Sequence, residues 1–222
     1  MAHLSNDFLK FFMDLAANNN RDWFHANKKR HESSVKKPFV IFVDALIEEL
    51  KKVEPSIQST AKTSIFRIHR DIRFAKDKTP YKLHASASIS TTSKKDYSNP
   101  RGLYLEINPE AIRVYGGLYQ VDKMQLINIR QAIASQPEKF KSLISERNFV
   151  KRFGTIQGEQ HKRIPKEFKE AHATQPLIAN KQFYYFTEID SDFIDSDDLI
   201  KKIIANYKVS LPVAQFLNDA IN

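Results

Sequence analysis

The chain has 222 residues, a length typical of one large domain or of one domain with an appendage. Hydrophobic residues make up 41% of it and charged residues 27%, which excludes a disordered or fibrous protein and predicts a folded core. Its 35 Lys and Arg against 26 Asp and Glu leave a net charge of +9, which favours acidic partners. The absence of cysteine excludes disulfides, zinc–thiolate sites and thiol nucleophiles.

Targeting and phosphate-loop signals are missing from the sequence. No apolar run reaches the roughly 20 residues that a membrane-spanning helix needs, and the first residues carry no basic leader. We therefore expect a mature, cytoplasmic protein with no membrane partner. The five glycines are too scattered for a phosphate-binding glycine loop or a dinucleotide fingerprint, so any phosphate binding would have to use side chains.

The first 55 residues have helical periodicity and predict a helical N-terminal part. Apolar residues recur at helical spacing in Phe8–Leu15, and the three asparagines at 18–20 end this helix and cap a second one that carries Trp23. Pro38 opens a third helix, whose apolar face should pack on a sheet.

The pattern between residues 62 and 118 alternates with period two and predicts a β-meander. The predicted strands are Ser64–Arg70, Leu83–Ser90, Leu103–Asn108 and Ile112–Gly117. A turn at Asn108–Ala111 would set Glu106 opposite Arg113 and Tyr104 opposite Tyr115. One sheet face would then be apolar, and the other would present polar side chains: Arg67, His69, His84, Ser86, Ser88, Tyr104, Glu106, Arg113 and Tyr115.

Residues 120–222 are mostly helical in pattern. This part contains a basic surface loop at Lys151–Lys169, an aromatic fifth strand at Gln182–Ile189, and two final helices near Ser196–Tyr207 and Pro212–Ile221. With no internal repeat and no low-complexity linker, we predict a single α+β domain over residues 1–222. Its antiparallel meander of four to five strands should be packed on one face by helices.

One segment differs from its surroundings in charge density. Arg67–Lys82 holds six basic and two acidic residues, a net charge of +4 in sixteen residues. It runs from a predicted strand into a loop whose end is fixed by Thr79-Pro80, because the residue before a proline is driven to an extended conformation. Arginine and lysine at this spacing converge on one ligand only if the loop curls.

At this segment the sequence resembles a family of uncharacterised bacterial and fungal proteins, grouped as a conserved domain of unknown function. The family carries the pattern R-x-x-R-D-x-R-F-x-K-D-K-T-P-Y-K, and this chain matches it from Arg67 to Lys82. The resemblance extends to Phe8–Leu15, Asn19–Phe24, the Gly102–Gly117 hairpin and the Ile129-Arg130 helix, and so covers most of the chain. It implies kinship and no particular activity, because the activity of that family is not established.

We interpret the basic loop as a site for an anionic small molecule that bears phosphate or carboxylate, in a binding domain or an enzyme. The predicted ligand-binding residues come from this loop and from the polar sheet face: Arg67, Arg70, Asp71, Arg73, Lys76, Lys78, Tyr81, Lys82, Tyr104, Arg113 and Tyr115. The acid–base candidates are His69, His84 and Glu106, since histidine titrates near neutral pH. The histidines lack the spacing of a metal site, so we predict no metal, and no cofactor follows from the sequence.

Two alternatives remain open. Nucleic-acid binding would use the same basic loop, with aromatics such as Phe74 and Tyr81 between the cations. A structural or protein-interaction domain would use Asp71 and Asp77 to hold the neighbouring arginines and lysines in a network that only stabilises the fold. The sequence indicates neither the reaction nor the oligomeric state.

Overall fold

The computed structural model describes residues 3–91 and 99–222 of the chain. Residues 92–98 of the predicted meander segment and the first two residues of the predicted helical part lie outside the described residues. Contacts between residues divide the chain into two compact units. The first comprises Met1–Lys95, Tyr104–Val114 and Glu188–Ile204, and the second Asp96–Leu103, Tyr115–Thr187 and Ala205–Asn222. The single domain stays a prediction.

The described strands form an antiparallel sheet in the order β1-β2-β3-β4, which confirms the α+β fold with its meander. The strands are β1 Ala85–Ser90, β2 Gly102–Ile107, β3 Ala111–Leu118 and β4 Phe183–Asp190. The turn between β2 and β3 closes as predicted, with the Asn108 N–H donating to the Ala111 carbonyl at 3.2 Å. The last strand is the one that the aromatic run at 182–189 predicts.

The helices of the first unit bury the apolar faces that their periodicity predicts. They are α1 Asn6–Ala17, α2 Arg21–Ala26, α3 Lys28–Arg30, a π-helix at His31–Lys36, α4 Lys37–Lys51 and α5 Ala61–Ser64, with a 3-10 turn at Ser191–Asp195. Phe8 of α1 packs on Phe39 of α4 with ring centroids 6.0 Å apart. Helix α4 also packs against β1, as the prediction of a sheet-facing helix requires.

The second unit has its own core. Its helices are α6 Lys123–Ser135, α7 Pro137–Ile144, α8 Arg147–Phe153 and α9 Lys169–Thr174, with 3-10 turns at Lys166–Phe168 and Pro176–Ala179. Asp122 and Gln125 form the capping box that starts α6. Side chains from these helices surround Tyr185 of β4, whose ring lies 5.1 Å from both Phe149 and Phe153.

The predicted first strand, Ser64–Arg70, is wrong. A capping box of Thr60 and Thr63 starts α5 here, so Ser64 ends a helix. The chain that follows makes isolated bridges with two different partners, Ile65 with Ala87 of β1 and His69 with Tyr81 of the loop's returning arm. Because the segment turns from one partner to the other, it pairs with neither for long enough to form a strand.

Two further predictions fail in the C-terminal part. The Lys151–Lys169 segment is not a free surface loop, because Gln157 bridges to Tyr184 and buried Phe153, Ile156 and Phe168 fix it to the core. The two final helices are one, α10 Leu199–Ile221, with Pro212 inside it. Proline costs a helix interior roughly 3 kcal/mol, which the buried apolar residues on both sides of Pro212 offset.

Candidate functional site

The basic signature segment closes on itself. The Arg70 N–H donates to the Pro80 carbonyl at 2.9 Å, and the Lys82 N–H donates to the Ile68 carbonyl at 2.8 Å. These bonds join the two arms of the segment at the His69–Tyr81 bridge. Residues 71–79 therefore form a loop that is held at its base by the two arms. We call the loop together with its arms, residues 68–82, the signature loop.

Arg70 fixes the inside of the signature loop. Its Nη1 donates to Asp77 Oδ2 at 2.5 Å and to the Thr79 carbonyl at 3.1 Å, and it also reaches the Thr79 hydroxyl. Asp77 accepts the Thr79 N–H at 2.9 Å. The Thr79 amide and then the Arg70 guanidinium hold the pKa of Asp77 at about 2, so the carboxylate stays charged over the physiological range.

Asp71, the second acidic residue of the signature loop, is also paired with an arginine. Arg73 donates to Asp71 through Nε at 3.0 Å and through Nη2 at 2.7 Å, and this bidentate pair lowers the pKa of Asp71 to about 2. Lys78 Nζ donates to the Ile72 carbonyl at 3.0 Å. The network that the structural alternative requires is therefore present, and it occupies Arg70 and Arg73. Lys76 is exposed and forms no hydrogen bond or ion pair with any described residue.

Tyr81, expected to bind ligand, is a packing residue. It is 5% exposed, and its ring stacks on Phe24 with centroids 4.1 Å apart. Asn19 holds its backbone at two points: the Tyr81 N–H donates to Asn19 Oδ1 at 3.1 Å, and Asn19 Nδ2 donates to the Tyr81 carbonyl at 2.9 Å. The His69 ring lies against the same pair, 5.2 Å from Tyr81 and 6.0 Å from Phe24.

The predicted polar face carries a chain of charges in the first unit. His84 Nε2 lies 3.8 Å from Glu106 Oε2, and Arg113 Nη1 lies 3.3 Å from Glu106 Oε1, as the hairpin register predicts. Arg113 also donates to Glu188 at 2.7 Å and to Glu110 at 3.4 Å. Arg113 thus lies between Glu106, Glu110 and Glu188, and Glu106 contacts both Arg113 and His84.

The rest of that face differs from the expectation. Ser86 and Ser88 are buried, so these two polar side chains of β1 are not presented to solvent. Tyr104 packs edge-on against Phe66, and its burial raises the pKa of its hydroxyl. Tyr115 belongs to the second unit, where its ring stacks on Phe186. Lys82 lies with Nζ 5.1 Å above the Phe66 ring.

A cavity of about 730 Å³ in the first unit adds residues that sequence reasoning missed. We call it the histidine pocket, because His31, His69 and His84 line it. Its other lining residues are Phe12, Phe24, Lys28, Glu32, Val35, Lys36, Phe39, Val40, Asp44, Thr60, Ala61, Lys62, Ile65, Phe66, Arg67, Ile68 and Ala85. Of the predicted site residues, the pocket thus brings together Arg67, His69 and His84.

The wall of the histidine pocket includes the π-helix His31–Lys36. The Lys37 N–H donates to the Glu32 carbonyl, five residues back, which widens the turn just before Pro38. In a regular α-helix the Pro38 ring would clash with the carbonyl of Ser34, so the wider turn accommodates the proline. The prediction that Pro38 opens the third helix is confirmed, since α4 begins at Lys37 with this proline in its first turn.

Unpaired cations stand around this apolar cavity. Lys36 is held by Glu32 at 3.0 Å. Lys28, Lys62 and Arg67 are exposed and make no hydrogen bond or ion pair with any residue in the described part of the chain. Two of the pocket histidines add no charge to this set. Burial lowers the pKa of His31 to about 4 and also lowers the pKa of His84, so both are neutral at pH 7.

A second cavity, of about 580 Å³, shares Phe24, Lys28 and His69 with the histidine pocket. The signature loop lines it through Arg70, Ile72, Pro80 and Tyr81, and α2 through Arg21, Asp22 and His25. Among the residues that the structure describes, no three His, Asp or Glu side chains are grouped so as to hold a metal ion. In the same residues, no helix is long and apolar enough to cross a membrane.

Comparison with known proteins assigns the family. The family model of a conserved hypothetical protein, DUF2461, matches residues 7–216. The chain belongs to this family. The match includes both units and the whole signature loop, as the resemblance of the Arg67–Lys82 segment implies. No curated protein matches the chain.

Proposed function

We propose that this DUF2461 protein binds a small organic anion with an apolar body in the histidine pocket. The observation that carries the proposal is the set of three cations, Lys28, Lys62 and Arg67, that border an apolar cavity without a partner among the described residues. They differ in this from Arg30 of the same unit, which is paired with Asp7 and Asp14. Cations left free at a cavity mouth favour an anionic ligand.

The charge balance of the lining points the same way. Four basic side chains line the pocket against two acids, Glu32 and Asp44. Glu32 is paired with Lys36, and Asp44 accepts the Ala61 N–H at 3.3 Å. With His31 and His84 neutral, the net charge that a ligand meets at pH 7 is positive. A carboxylate or phosphate group is therefore the expected head of the ligand.

The size and lining describe the rest of the ligand. Pockets for small molecules usually enclose about 300–1,000 Å³ and are mostly apolar with a few placed polar groups. This pocket has four phenylalanines, Phe12, Phe24, Phe39 and Phe66, in its lining, beside Val35 and Ile65. They suit an aromatic or branched aliphatic body. Inorganic ions alone would leave this apolar surface uncovered.

The histidines give the pocket acid–base capacity. His84 lines the cavity, lies 3.8 Å from Glu106 through its Nε2, and is uncharged at pH 7 because burial lowers its pKa. A neutral imidazole can accept a proton from a bound ligand. His84 with Glu106, and His69 across the lining, are thus the groups that would serve a reaction if the protein is an enzyme.

A thermal-shift screen tests the binding proposal. The wild type and an Arg67→Ala, Lys62→Ala variant are screened against aromatic and aliphatic carboxylates and their phosphate counterparts. A ligand at 100 times its Kd stabilises the wild type by about 2.7 kcal/mol, and the variant should lose that response. Arg73→Ala is the matched control, because it removes a cation that lies outside the pocket lining and is paired with Asp71.

The screen has two outcomes that contradict the proposal. In the first, no compound stabilises the wild type. In the second, the Arg67→Ala, Lys62→Ala variant responds like the wild type while Arg73→Ala does not, which would move the site from the pocket to the signature loop.

Nucleic-acid binding is the second candidate, and one observation favours it. Phe74 of the signature loop is 95% exposed, and the exposed Lys76, which forms no ion pair with any described residue, follows it two positions later in the sequence. Stacking of a base on an exposed aromatic ring, with cations on the phosphates, is how proteins bind single strands. Short oligonucleotides should then bind with an affinity that falls steeply with salt, and Phe74→Ala should weaken it. Salt-independent or absent binding contradicts this candidate.

A further inference from the structure

The second cavity differs from the histidine pocket in the chemistry of its lining. It encloses about 580 Å³ in the first unit, a volume that is large enough for a small molecule. Arginine, lysine, histidine and aspartate supply six of its ten lining residues, which come from helices α2 and α3 and from the signature loop. This composition suits a polar ligand rather than the apolar body that we expect in the histidine pocket.

Arg70 lines the second cavity and leaves one edge of its guanidinium unused. Its hydrogen bonds to described residues all go through Nη1, to Asp77 and Thr79, and neither of these two partners lines the cavity. Nε and Nη2 form no hydrogen bond within the described part of the chain. In Arg73 the same edge, Nε with Nη2, holds both carboxylate oxygens of Asp71. Arg70 therefore offers a bidentate donor on a side chain that Nη1 already fixes.

Two further cations at this cavity are unpaired. Arg21 and Lys28 are exposed and form no hydrogen bond or ion pair with any described residue. The backbone stays helical past the end of α2, where the His31 N–H donates to the Asn27 carbonyl at 2.9 Å. Because His25 lies four residues after Arg21 and three before Lys28, these three lining residues share one helical face.

The charge of the lining is positive, although it includes an acid. Asp77 offsets the charge of Arg70 through their ion pair. Arg21 and Lys28 then outnumber Asp22, the one acid in the described lining. Asp22 also has no hydrogen bond or ion pair with the residues that the structure describes. A carboxylate only accepts hydrogen bonds, so it repels an anionic group and suits a hydroxyl.

We propose that the second cavity binds the phosphate ester of a small polyol. The unused edge of Arg70 matches two phosphate oxygens, and Arg21 and Lys28 supply the positive charge. Asp22 accepts a hydrogen bond from a hydroxyl of the polyol. The proposal does not rest on the function of the histidine pocket, although Phe24, Lys28 and His69 line both cavities.

Isothermal titration calorimetry with glycerol phosphate, inorganic phosphate and glycerol tests the proposal. Glycerol phosphate should bind the wild type more tightly than inorganic phosphate does, and glycerol should not bind. Arg21→Ala and Arg70→Lys should each weaken glycerol phosphate about tenfold, because each loses charge-assisted hydrogen bonds. Lysine at position 70 keeps the charge beside Asp77 but has no bidentate edge. Lys29→Ala is the matched control, since it removes an exposed cation of the same helical segment that lines neither cavity.

Asp22→Ala separates the hydroxyl contact from the phosphate contact. It removes a negative charge and an acceptor, so inorganic phosphate should bind more tightly while the advantage of glycerol phosphate shrinks. If Arg70→Lys does not fold, Arg21→Ala still carries the test, because it changes an exposed residue.

Three results would overturn the proposal. In the first, the wild type binds neither phosphate compound. In the second, it binds both with equal affinity, which excludes a contact to the polyol. In the third, Arg21→Ala binds like the wild type while the Arg67→Ala, Lys62→Ala variant does not, which would assign the phosphate ester to the histidine pocket and leave the function proposed for that pocket intact.

Discussion

Gly117 in β3 shows how a single residue constrains the second unit. Its φ is +85°, a region that residues with a side chain rarely adopt, and a Cβ would lie 2.2 Å from the Phe183 carbonyl oxygen of β4. Neither the conformation nor the neighbouring backbone can shift without breaking the sheet. Gly154, at the end of α8, has a φ of +69° with open space around the position of its Cβ.

These two glycines make a matched pair for mutation. Gly154→Ala should cost about 1–2 kcal/mol, the cost of the conformation alone, whereas Gly117→Ala should cost clearly more because a backbone clash is added. Urea unfolding of both variants gives the comparison. Equal losses would show that the Phe183 backbone yields to the added methyl group.

His31 links the histidine pocket to the stability of the first unit. Its ring lies 5.3 Å from Phe11 and 5.1 Å from Phe24, and burial lowers its pKa from 6.5 to about 4, while Glu32 opposes and Lys36 and His69 add to the shift. Between pH 6.5 and 4, His31 is therefore protonated in the unfolded chain and neutral in the folded chain. The contribution of His31 is therefore complete above pH 6.5 and is lost as the pH falls towards 4.

We expect the free energy of unfolding to fall over that pH interval more in the wild type than in His31→Phe. Phenylalanine keeps the aromatic contacts and cannot be protonated. Denaturant titrations at several pH values from 7 to 4 measure the difference between the two proteins. A difference that stays constant with pH would mean that His31 has the same pKa in the folded and the unfolded chain.

The signature loop shows how elements cooperate at the next scale. Its base is held by hydrogen bonds between its own arms, and its returning arm is held by the side chain of Asn19, in the turn between α1 and α2. The Tyr81 ring also stacks on Phe24 of α2, which packs the returning arm against this helix. The loop is thus positioned by two helices that precede it in the chain by more than forty residues.

Asn19→Ala should loosen this arm. It removes two hydrogen bonds to the Tyr81 backbone, each with a net worth of about 0.5–1.5 kcal/mol, and should speed hydrogen exchange across residues 68–82. Asn18→Ala is the control, because Asn18 only bonds the Asp14 carbonyl of its own helix. Unchanged exchange in the loop after Asn19→Ala would show that the Tyr81–Phe24 stack suffices.

At the scale of the whole molecule, the chain crosses repeatedly between its two compact units. Strands β2, β3 and β4 and helix α10 each contribute residues to both. An element that contributes residues to both units cannot keep its full length if only one unit unfolds. The single domain predicted from the sequence requires the two to unfold together.

Unfolding should accordingly show one transition. The chain has one tryptophan, Trp23, which reports on the first unit, and hydrogen exchange at Phe149 and Tyr185 reports on the second. We expect the fluorescence of Trp23 and the exchange of the second unit to give the same midpoint in urea. Two separate midpoints would show two domains.

Some of the site could be predicted from the sequence because it depends on neighbours in the chain. The spacing of Glu106 and Arg113 around the Asn108–Ala111 turn fixed their pairing, and the capping residues Asp122 and Gln125 fixed the start of α6. The pairing of Asp71 with Arg73 is equally local, two residues apart. The alternation of apolar and polar residues at Ser64–Arg70 predicted a strand that does not form. A period of two indicates which side chains share a face, but it does not indicate which segment of the chain is available to pair.

The sequence by itself determined the family, the α+β class and the hairpin, because these depend on composition and on residues close in the chain. Only the tertiary structure decided which cations are free. It paired Arg70 and Arg73 within the signature loop, and it gathered His31, His69 and His84 around one cavity. It also buried Arg130, whose Nη2 has no hydrogen-bond partner among the residues that the structure describes. Hydrogen bonding and burial between distant segments set those outcomes, and no local pattern encodes them.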